Sequence, residues 1–390
     1  MTPVSSRPPF WRNVRILAIL GQVAFVLVVA VVAGILYANV TSGMRRLGIV
    51  GGFDFMNQTA GFDIGVRPIP YRPSDTYWRA FQVGVVNTLL VSILGIVLAT
   101  LLGLLIGIAQ LSSNWLVARL AQSYVVIVRH VPVLVQLFFW YQAVFLRLPR
   151  VQNAIALPGP IYLSNKGLTM VGFTTTPSTT WWIGFIFVGI LGAVLVWHWL
   201  KRHQECTGQQ APRFLISLLI VAASAIIGWL VLATSPLELT IPERRGLNYR
   251  GGFELTPEYA ALLVGLVIYT ASFIAEIVRA GIQGVSKGQK EAARALGLRG
   301  SQSLRLVILP QALRIIIPPT TSQYLNLAKN SSLAIAIGYP DLFSVSRTIM
   351  NQTAQTVPMV GLIMMSYLII SLITSVFMNF YNRSVRLVER

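Results

Sequence analysis

The sequence predicts an all-α integral membrane protein of about eight transmembrane helices. Three observations predict it: 55% of the 390 residues are hydrophobic, only 11% are charged, and the charges fall between long apolar runs. A soluble chain of this size carries roughly a quarter of its residues as charges. The formal net charge of +19 would suggest nucleic acid in a soluble protein. Placed between apolar runs it points instead to loops that obey the positive-inside rule, and nucleic acid is set aside as a partner. Cys206 is the single cysteine, which excludes an intrachain disulfide framework and a cysteine metal site.

Residues 1–15 carry Arg7, Arg12 and Arg15 and no acid, the composition of a cytoplasmic tail. Residues 17–38 then form the core of a first span; the apolar run extends too far for a signal peptide and lacks a small-residue cleavage pattern. Residues 41–79, with Gly51-Gly52, Pro68, Pro70 and Pro73 as breakers, read as a small extracytoplasmic segment. The second span covers 83–111. Its Gly103 and Gly107 form a small-xxx-small pair that either admits another helix or faces lipid. The third, 121–146, holds Arg129, His130 and then Pro132, which frees carbonyls and can kink a helix. Arg129 either snorkels to the interface or faces a polar interior, and Gln136 and Gln142 could add polar lining.

Residues 147–180 read as a polar loop ending in Trp181-Trp182, an interfacial belt signature. Two spans follow, at 182–200 and 214–234, joined by a basic loop with Lys201, Arg202, His203 and Arg213. No other His or carboxylate cluster has metal spacing, so His203 belongs to that solvated turn. Residues 235–256 return to loop character. The sixth span, 257–280, ends with Glu276 and Arg279, an i, i+3 ion pair that lowers the cost of both charges near the membrane boundary. The seventh, 315–338, is broken by Pro318-Pro319 and by the polar run Lys329-Asn330-Ser331-Ser332. The eighth, 359–381, ends in Arg383, Arg386 and Arg390. Eight spans put both termini on one side. Loops there hold about 17 of the 31 Lys and Arg in roughly 85 residues, against about 12 in roughly 118 residues opposite. That bias places the termini, the Lys201 loop and the loop around Glu291 in the cytoplasm.

Ser286 and Gln289 have the spacing of a capping box, just before a helix-favouring run over 290–296, and Gly297 supplies a C-cap. A helix of about two turns is too short to be stable alone, so it packs against something, as a linker or as a docking element. Glu291-Ala292-Ala293, Gly297 six residues after the Glu, and Leu309-Pro310 twelve after the Gly resemble the EAA loop of ABC importer permeases, with Val307 where that family often has Ile. The resemblance implies that Glu291, Ala292, Ala293, Arg294 and Gly297 belong to a coupling helix that inserts into a groove on a cytoplasmic ATPase. Asn87-Thr88-Leu89, Arg129-His130-Val131-Pro132-Val133-Leu134-Val135-Gln136, the run from Phe273 to Gly281, Leu309-Pro310-Gln311-Ala312 and Lys329-Asn330-Ser331-Ser332-Leu333 are similar to the polar amino-acid branch. That branch commonly reads Arg-Gly-Thr-Pro-Leu in the third span, from which His130 and Val131 depart.

By that resemblance the chain divides into an N-terminal tail, first span and periplasmic segment (1–80), the first part of a five-helix ABC importer permease core (81–146), an insertion with two extra spans (147–256), and the rest of the core (257–390) with the coupling loop at 286–310. The longer layout resembles the permeases of general L-amino-acid importers, which work as unlike pairs with broad specificity. Its site is then the inner membrane of a bacterium, with both termini cytoplasmic. No Gly-x-x-x-x-Gly-Lys-Ser/Thr occurs, so energy comes from a separate subunit or an ion gradient. The implied system has no catalytic residue, cofactor or metal on this chain. ATP and Mg sit on a partner ABC ATPase dimer, and a second permease subunit, a periplasmic amino-acid-binding protein, the amino-acid substrate and membrane lipid are the other partners.

A zwitterionic substrate needs a cation near its carboxylate, a role for Arg129 or Lys329. It needs an acceptor near its ammonium group, a role for Glu276, Gln136, Asn330 or Ser331. The structural alternatives are that Lys329 and Asn330 satisfy carbonyls released by Pro318 and Pro319, and that Arg129 pairs with lipid headgroups. The rival function is an ion-gradient-driven secondary amino-acid transporter, which broken helices and buried ionisable residues also suit. Against it, no two halves repeat, and a free-standing carrier has no use for a docking helix. Three His, one Cys and no clustered carboxylates leave little for a membrane-embedded enzyme.

Overall fold

The structure, a computed structural model, describes residues 14–46, 52–207, 212–232 and 234–385. The expected basic tail residues Arg7, Arg12, Arg386 and Arg390, and Gly51, lie outside these. Helix α1 (Val14–Arg46) is exposed from Leu17 to Asn39, the surface of a helix made for lipid. A short ordered segment with one 3₁₀ turn (Asp54–Asn57) leads to α2 (Tyr77–Ala109), whose first turn is capped by the Thr76 hydroxyl accepting from the Arg79 N–H. The segment before α2 is no open loop. Met56, Ala60, Ile64 and Tyr71 are buried against Tyr77 and Phe81 of α2 and against Leu342, Val345, Ile349 and Met359 from late in the chain.

The expected third span is cut in two. α3 (Trp115–His130) and α4 (Val133–Phe138), the latter continued by π and 3₁₀ turns to Arg147, meet at a bend of 103°. Val131 takes the extended conformation that a residue before proline prefers, and Pro132 restarts the chain in a new direction.

The two loops flanking the inserted spans are not loops throughout. β1 (Ile155–Leu157), β2 (Ile161–Ser164), β3 (Gly167–Met170) and β4 (Gly172–Thr175) precede α5 (Thr179–Thr207) and α6 (Arg213–Val231). After them come β5 (Leu237–Thr240), β6 (Glu243–Arg245), β7 (Asn248–Arg250) and β8 (Phe253–Leu255). β1, β2, β3 and β8 form an antiparallel sheet in that order, while β4 pairs β5 and β6 pairs β7. Strands of three or four residues carry too little alternation to be seen in sequence, and two of the five pairings, β3 with β8 and β4 with β5, reach across the inserted helices.

α7 (Pro257–Gln283) is the most buried of the long helices. It runs into α8 (Lys287–Ala295), α9 (Gly300–Ser303) and a π turn (Leu304–Ile308), and then α10 (Leu309–Asn330). The expected break at Pro318-Pro319 does not occur. Both rings sit on an exposed face, and the hydroxyls of Thr320 and Thr321 donate to the carbonyls of Ile316 and Ile317 at 2.7 and 3.0 Å. The helix gives way to a 3₁₀ turn (Ser331–Ile337) at the polar run instead. α11 (Leu342–Thr353), unforeseen, and α12 (Thr356–Val385) complete the chain.

Among the described residues six helices are long and apolar enough to cross a membrane, α1, α2, α5, α6, α7 and α12, and the bent pair α3–α4 makes seven. The fold is the expected all-α membrane architecture, with six or seven spans recognisable by length and apolarity and the expected eighth not among them. α10, in place of the seventh expected span, carries Gln311, Arg314, Gln323, Asn326 and Lys329.

In lipid no hydrophobic force draws helices together, so close packing does. A Cβ on Gly103 would stand 2.7 Å from the Ile274 Cβ, and one on Gly107 2.7 Å from the Val278 Cβ and 2.8 Å from the Ala275 carbonyl. The small-xxx-small pair therefore faces α7 and not lipid. Tyr124 of α3 donates to the Ile268 carbonyl of α7 at 2.7 Å, and the Thr100 and Tyr324 hydroxyls join α2 to α10 at 2.8 Å.

Gly107→Val should lower the stability of the detergent-solubilised protein by about 1–3 kcal/mol, the usual cost of overpacking. Gly21→Val on α1, where nothing lies within 4 Å, should leave thermal unfolding unchanged, and equal melting shifts in the two variants would contradict the contact.

Candidate coupling loop and intramembrane polar groups

α8 begins earlier than the helix-favouring run, at Lys287, and the expected capping box is not formed. The Ser286 side chain makes no cap hydrogen bond, and the Gln289 Oε1 instead accepts from Gln311 Nε2 at 3.1 Å, tying α8 to the start of α10. The C-terminus is as expected. The Leu298 N–H donates to the Ala293 carbonyl and the Gly297 N–H to the Arg294 carbonyl, at 3.1 and 2.9 Å, with Gly297 at φ +71°. This is a Schellman motif, and its left-handed residue is one that only glycine adopts without strain.

Ala293 is 2% exposed and pins α8 to the body of the protein. Glu291, Ala292, Arg294 and Ala295 are exposed, and Leu296 is 79% exposed. Gly288, Ala292 and Leu296 share a face at i, i+4 spacing, so α8 offers a smooth strip of small and apolar residues flanked by Glu291 and Arg294. Such a strip fits a cleft on another chain.

The six intramembrane polar residues fall into separate places. Gln136 is buried, and its Nε2 donates to the carbonyls of Val128 and Val131 at 2.9 and 3.0 Å. Its amide nitrogen is thus spent on the acceptors that the break at Pro132 leaves open. The Arg129 guanidinium lies 4.9 Å from the centre of the Phe273 ring, where α3 meets α7. Glu276 forms the i, i+3 ion pair with Arg279, whose Nε donates to Oε2 at 3.1 Å and whose Nη1 donates to Gln283 Oε1 at 3.0 Å. Lys329 is exposed beside a groove of about 770 Å³ that it lines with Ser332 and Tyr367. Ser331 is buried and donates to the Ala328 carbonyl at 2.8 Å; Asn330 stands where α10 passes into the 3₁₀ turn. The structure therefore gathers Lys329, Ser331 and Ser332 around Tyr367, and holds Arg129 and Glu276 elsewhere, on the α3–α7 contact.

Three groups stand out beyond these six: Asp341, the Asn87–Thr88 pair already singled out in the sequence, and Arg314. Asp341 is fully buried: its Oδ1 accepts from the Ser344 N–H at 2.8 Å as the N-cap of α11, and Tyr367 donates to its Oδ2 at 3.4 Å. The Asp341-to-Ser344 spacing before a helix is the signal that would have found it. Burial pushes its pKa from 3.8 up to about 6, against the pull of the Ser344 and Phe343 N–H donors. Around it, Asn87 Nδ2 donates to the carbonyls of Val66 and Pro340, and Thr88 Oγ1 accepts from the Leu342 N–H. The third group is Arg314, whose Nε and Nη2 are buried without a hydrogen-bond partner among the described residues.

A family described as the binding-protein-dependent transport system inner membrane component matches residues 95–387. The chain is 45% identical over 335 residues to the general L-amino acid transport system permease protein of Rhizobium johnstonii, covering 84% of this chain and 82% of that protein. It is 48% identical over 335 residues to a putative amino-acid ABC transporter permease protein of Escherichia coli strain K12, 84% of each. To the glutamate/glutamine/aspartate/asparagine transport system permease protein of Rhodobacter capsulatus it is 38% identical over 367 residues, again 84% of each.

An acid whose folded pKa is raised holds its proton longer in the native state, so stability is greatest below the unfolded pKa and is lost as pH rises through about 6. Melting temperatures should therefore fall as pH rises from about 4 to just above 6 and level off beyond. Asp341→Asn, which keeps a capping acceptor, should flatten that slope; an unchanged slope would remove Asp341 as its source.

Proposed function

The chain belongs to the family of binding-protein-dependent transport system inner membrane components, and on that premise we propose that it is one permease subunit of an ATP-driven importer that passes L-amino acids, with broad specificity, across a bacterial inner membrane. The observation that carries the coupling half of this reading is α8. Too short to stand alone, it is closed by the Gly297 turn, pinned by Ala293, and presents Ala292 and Leu296 outward. ATP and Mg would bind to a separate ABC ATPase dimer whose clefts receive α8, with Glu291 and Arg294 at the edges of the contact. α7 enters this loop and α10 leaves it, so a push on α8 acts directly on two helices that both pack on α2.

The same reading takes the more polar α10 as the eighth crossing, and so sets α8, both termini and the Lys201 loop in the cytoplasm. The 52–76 segment and the strands lie outside, where a periplasmic amino-acid-binding protein delivers its cargo. The outward faces of α10 and α12 beside Lys329 suit a second permease subunit, so that the groove becomes a passage between the two chains. Lys329 supplies a cation for the substrate carboxylate there, and Ser332 and Tyr367 supply hydroxyls. Arg129 and Glu276 serve the α3–α7 contact. Nothing in the family or the fold favours an ion-gradient carrier.

Two experiments test this in proteoliposomes holding the complete transporter. Gly297→Val forces a branched residue into a left-handed turn at a strain of about 1–3 kcal/mol, and amino-acid uptake per ATP hydrolysed should fall, whereas Gly297→Asn, which tolerates that turn, should retain coupling. Wild-type coupling in the valine variant would refute the role of α8. Lys329→Met should lower uptake about tenfold through the loss of one charge-assisted contact, with ATPase activity preserved; unchanged uptake would take Lys329 out of the passage.

A further inference from the structure

The α5–α6 hairpin is closed along one half and grooved along the other. In the closed half Gly189 lies against the Ser224 hydroxyl with no room for a Cβ, a Cβ on Gly228 would stand 2.8 Å from that of Phe185, and the Trp182 indole donates to the Ala225 carbonyl at 2.8 Å. Towards Lys201 and Arg213 the two helices, still joined by the Ser217 and Arg213 contacts, border a groove of about 320 Å³, lined mainly by Ile190, Ala193, Val194, Trp197, Phe214 and Leu218. Its two polar side chains are turned to backbone: Ser217 donates to the Ala193 carbonyl at 3.5 Å, and His198 Nδ1 lies 2.9 Å from the Val194 carbonyl. What remains is apolar. From residue 190 to residue 198 the groove runs about 12 Å along the helix, against roughly 15 Å for the hydrocarbon of one leaflet.

The open end is cationic. The Arg213 guanidinium lies 5.5 Å from the centre of the Trp197 ring, on the wall of the groove, and Lys201 and Arg202 follow within a turn of His198, both exposed. Trp199 stacks on His203 at 5.5 Å, forming a second aromatic surface at that level. Glu205 is the single acid between Lys201 and Arg213, so the connection keeps a net positive charge.

We propose that this groove is a binding site for an anionic phospholipid, with one acyl chain between α5 and α6 and the phosphate on Arg213 and Lys201. An apolar slot of one leaflet's depth that opens on paired cations matches a lipid with a negative headgroup in both of its parts. A soluble anion would leave the slot empty, and a zwitterionic lipid would leave the cations half neutralised. The assignment depends on the hairpin crossing the membrane, and it is independent of which solute the protein carries.

Cys206, exposed beside the mouth and the chain's single cysteine, takes the probe. The full-length chain, labelled there with a fluorophore, is placed in nanodiscs of phosphatidylcholine containing a small fraction of headgroup-labelled phosphatidylglycerol. Energy transfer should exceed the random level and saturate, while headgroup-labelled phosphatidylcholine should give the random level alone. Arg213→Gln should weaken the apparent affinity about fivefold, the share of one cation near a charged headgroup. Ser217→Trp or Leu218→Trp should obstruct the slot and abolish the excess, with melting in the same nanodiscs reporting that the hairpin is intact. Equal transfer from the two lipids, full binding in both folded tryptophan variants, or displacement of the lipid by millimolar inorganic phosphate would each overturn the site.

Discussion

Two helices of this protein meet at backbone distance because Gly103 and Gly107 have no side chains to hold them apart. α2 thereby lies on α7 along a line from Ile274 to Val278, and the rest of the core takes its position from that line. α3 hangs on α7 through the Tyr124 hydroxyl, α10 touches both helices, and the turn before α11 is clamped by Asn87 and Thr88 in the N-terminal half of α2. Within a bilayer, where apolar side chains gain nothing by leaving lipid for each other, such close contact and a few directed hydrogen bonds are what distinguish one arrangement from another.

α7 is therefore both the most enclosed long helix and the one that runs into α8, the helix proposed for coupling. A displacement of α8 cannot be absorbed by a loose periphery, because the chain on one side of it is the centre of the packing. On the other side, the Gln289–Gln311 hydrogen bond and the turn at Gly297 join it to α10. The loop thus connects rigid bodies through a short, well-defined joint.

The long apolar runs were legible because hydrophobicity over 20 residues needs no partner to be recognised. The C-cap at Gly297 and the Glu276–Arg279 pair were legible for a related reason: each is decided within one or two turns. The features that escaped depend on distant residues. Pro318-Pro319 reads as a break until both rings are seen to lie on the exposed face of a helix that continues to Asn330. Ser286 and Gln289 read as a capping box until Gln311 claims the glutamine. The strands could not be recognised singly, since β3 finds β8 and β4 finds β5 only after the inserted hairpin has returned. Of the polar groups, Gln136 carried the clearest ambiguity, and its contacts with Val128 and Val131 show it bracing a bend.

That return has a consequence of its own. The chain leaves for α5 from the end of β4 and comes back along β5, its hydrogen-bonded neighbour, and β8 then rejoins β3 just before α7 begins. Departure and arrival are side by side, so the pair of inserted helices is a cassette with a zipped base. The spacing between α4 and α7 is thereby held by the strand pairs and not by the length of the two helices between them. A permease built this way can acquire new lipid-facing surface without renegotiating the geometry of its core.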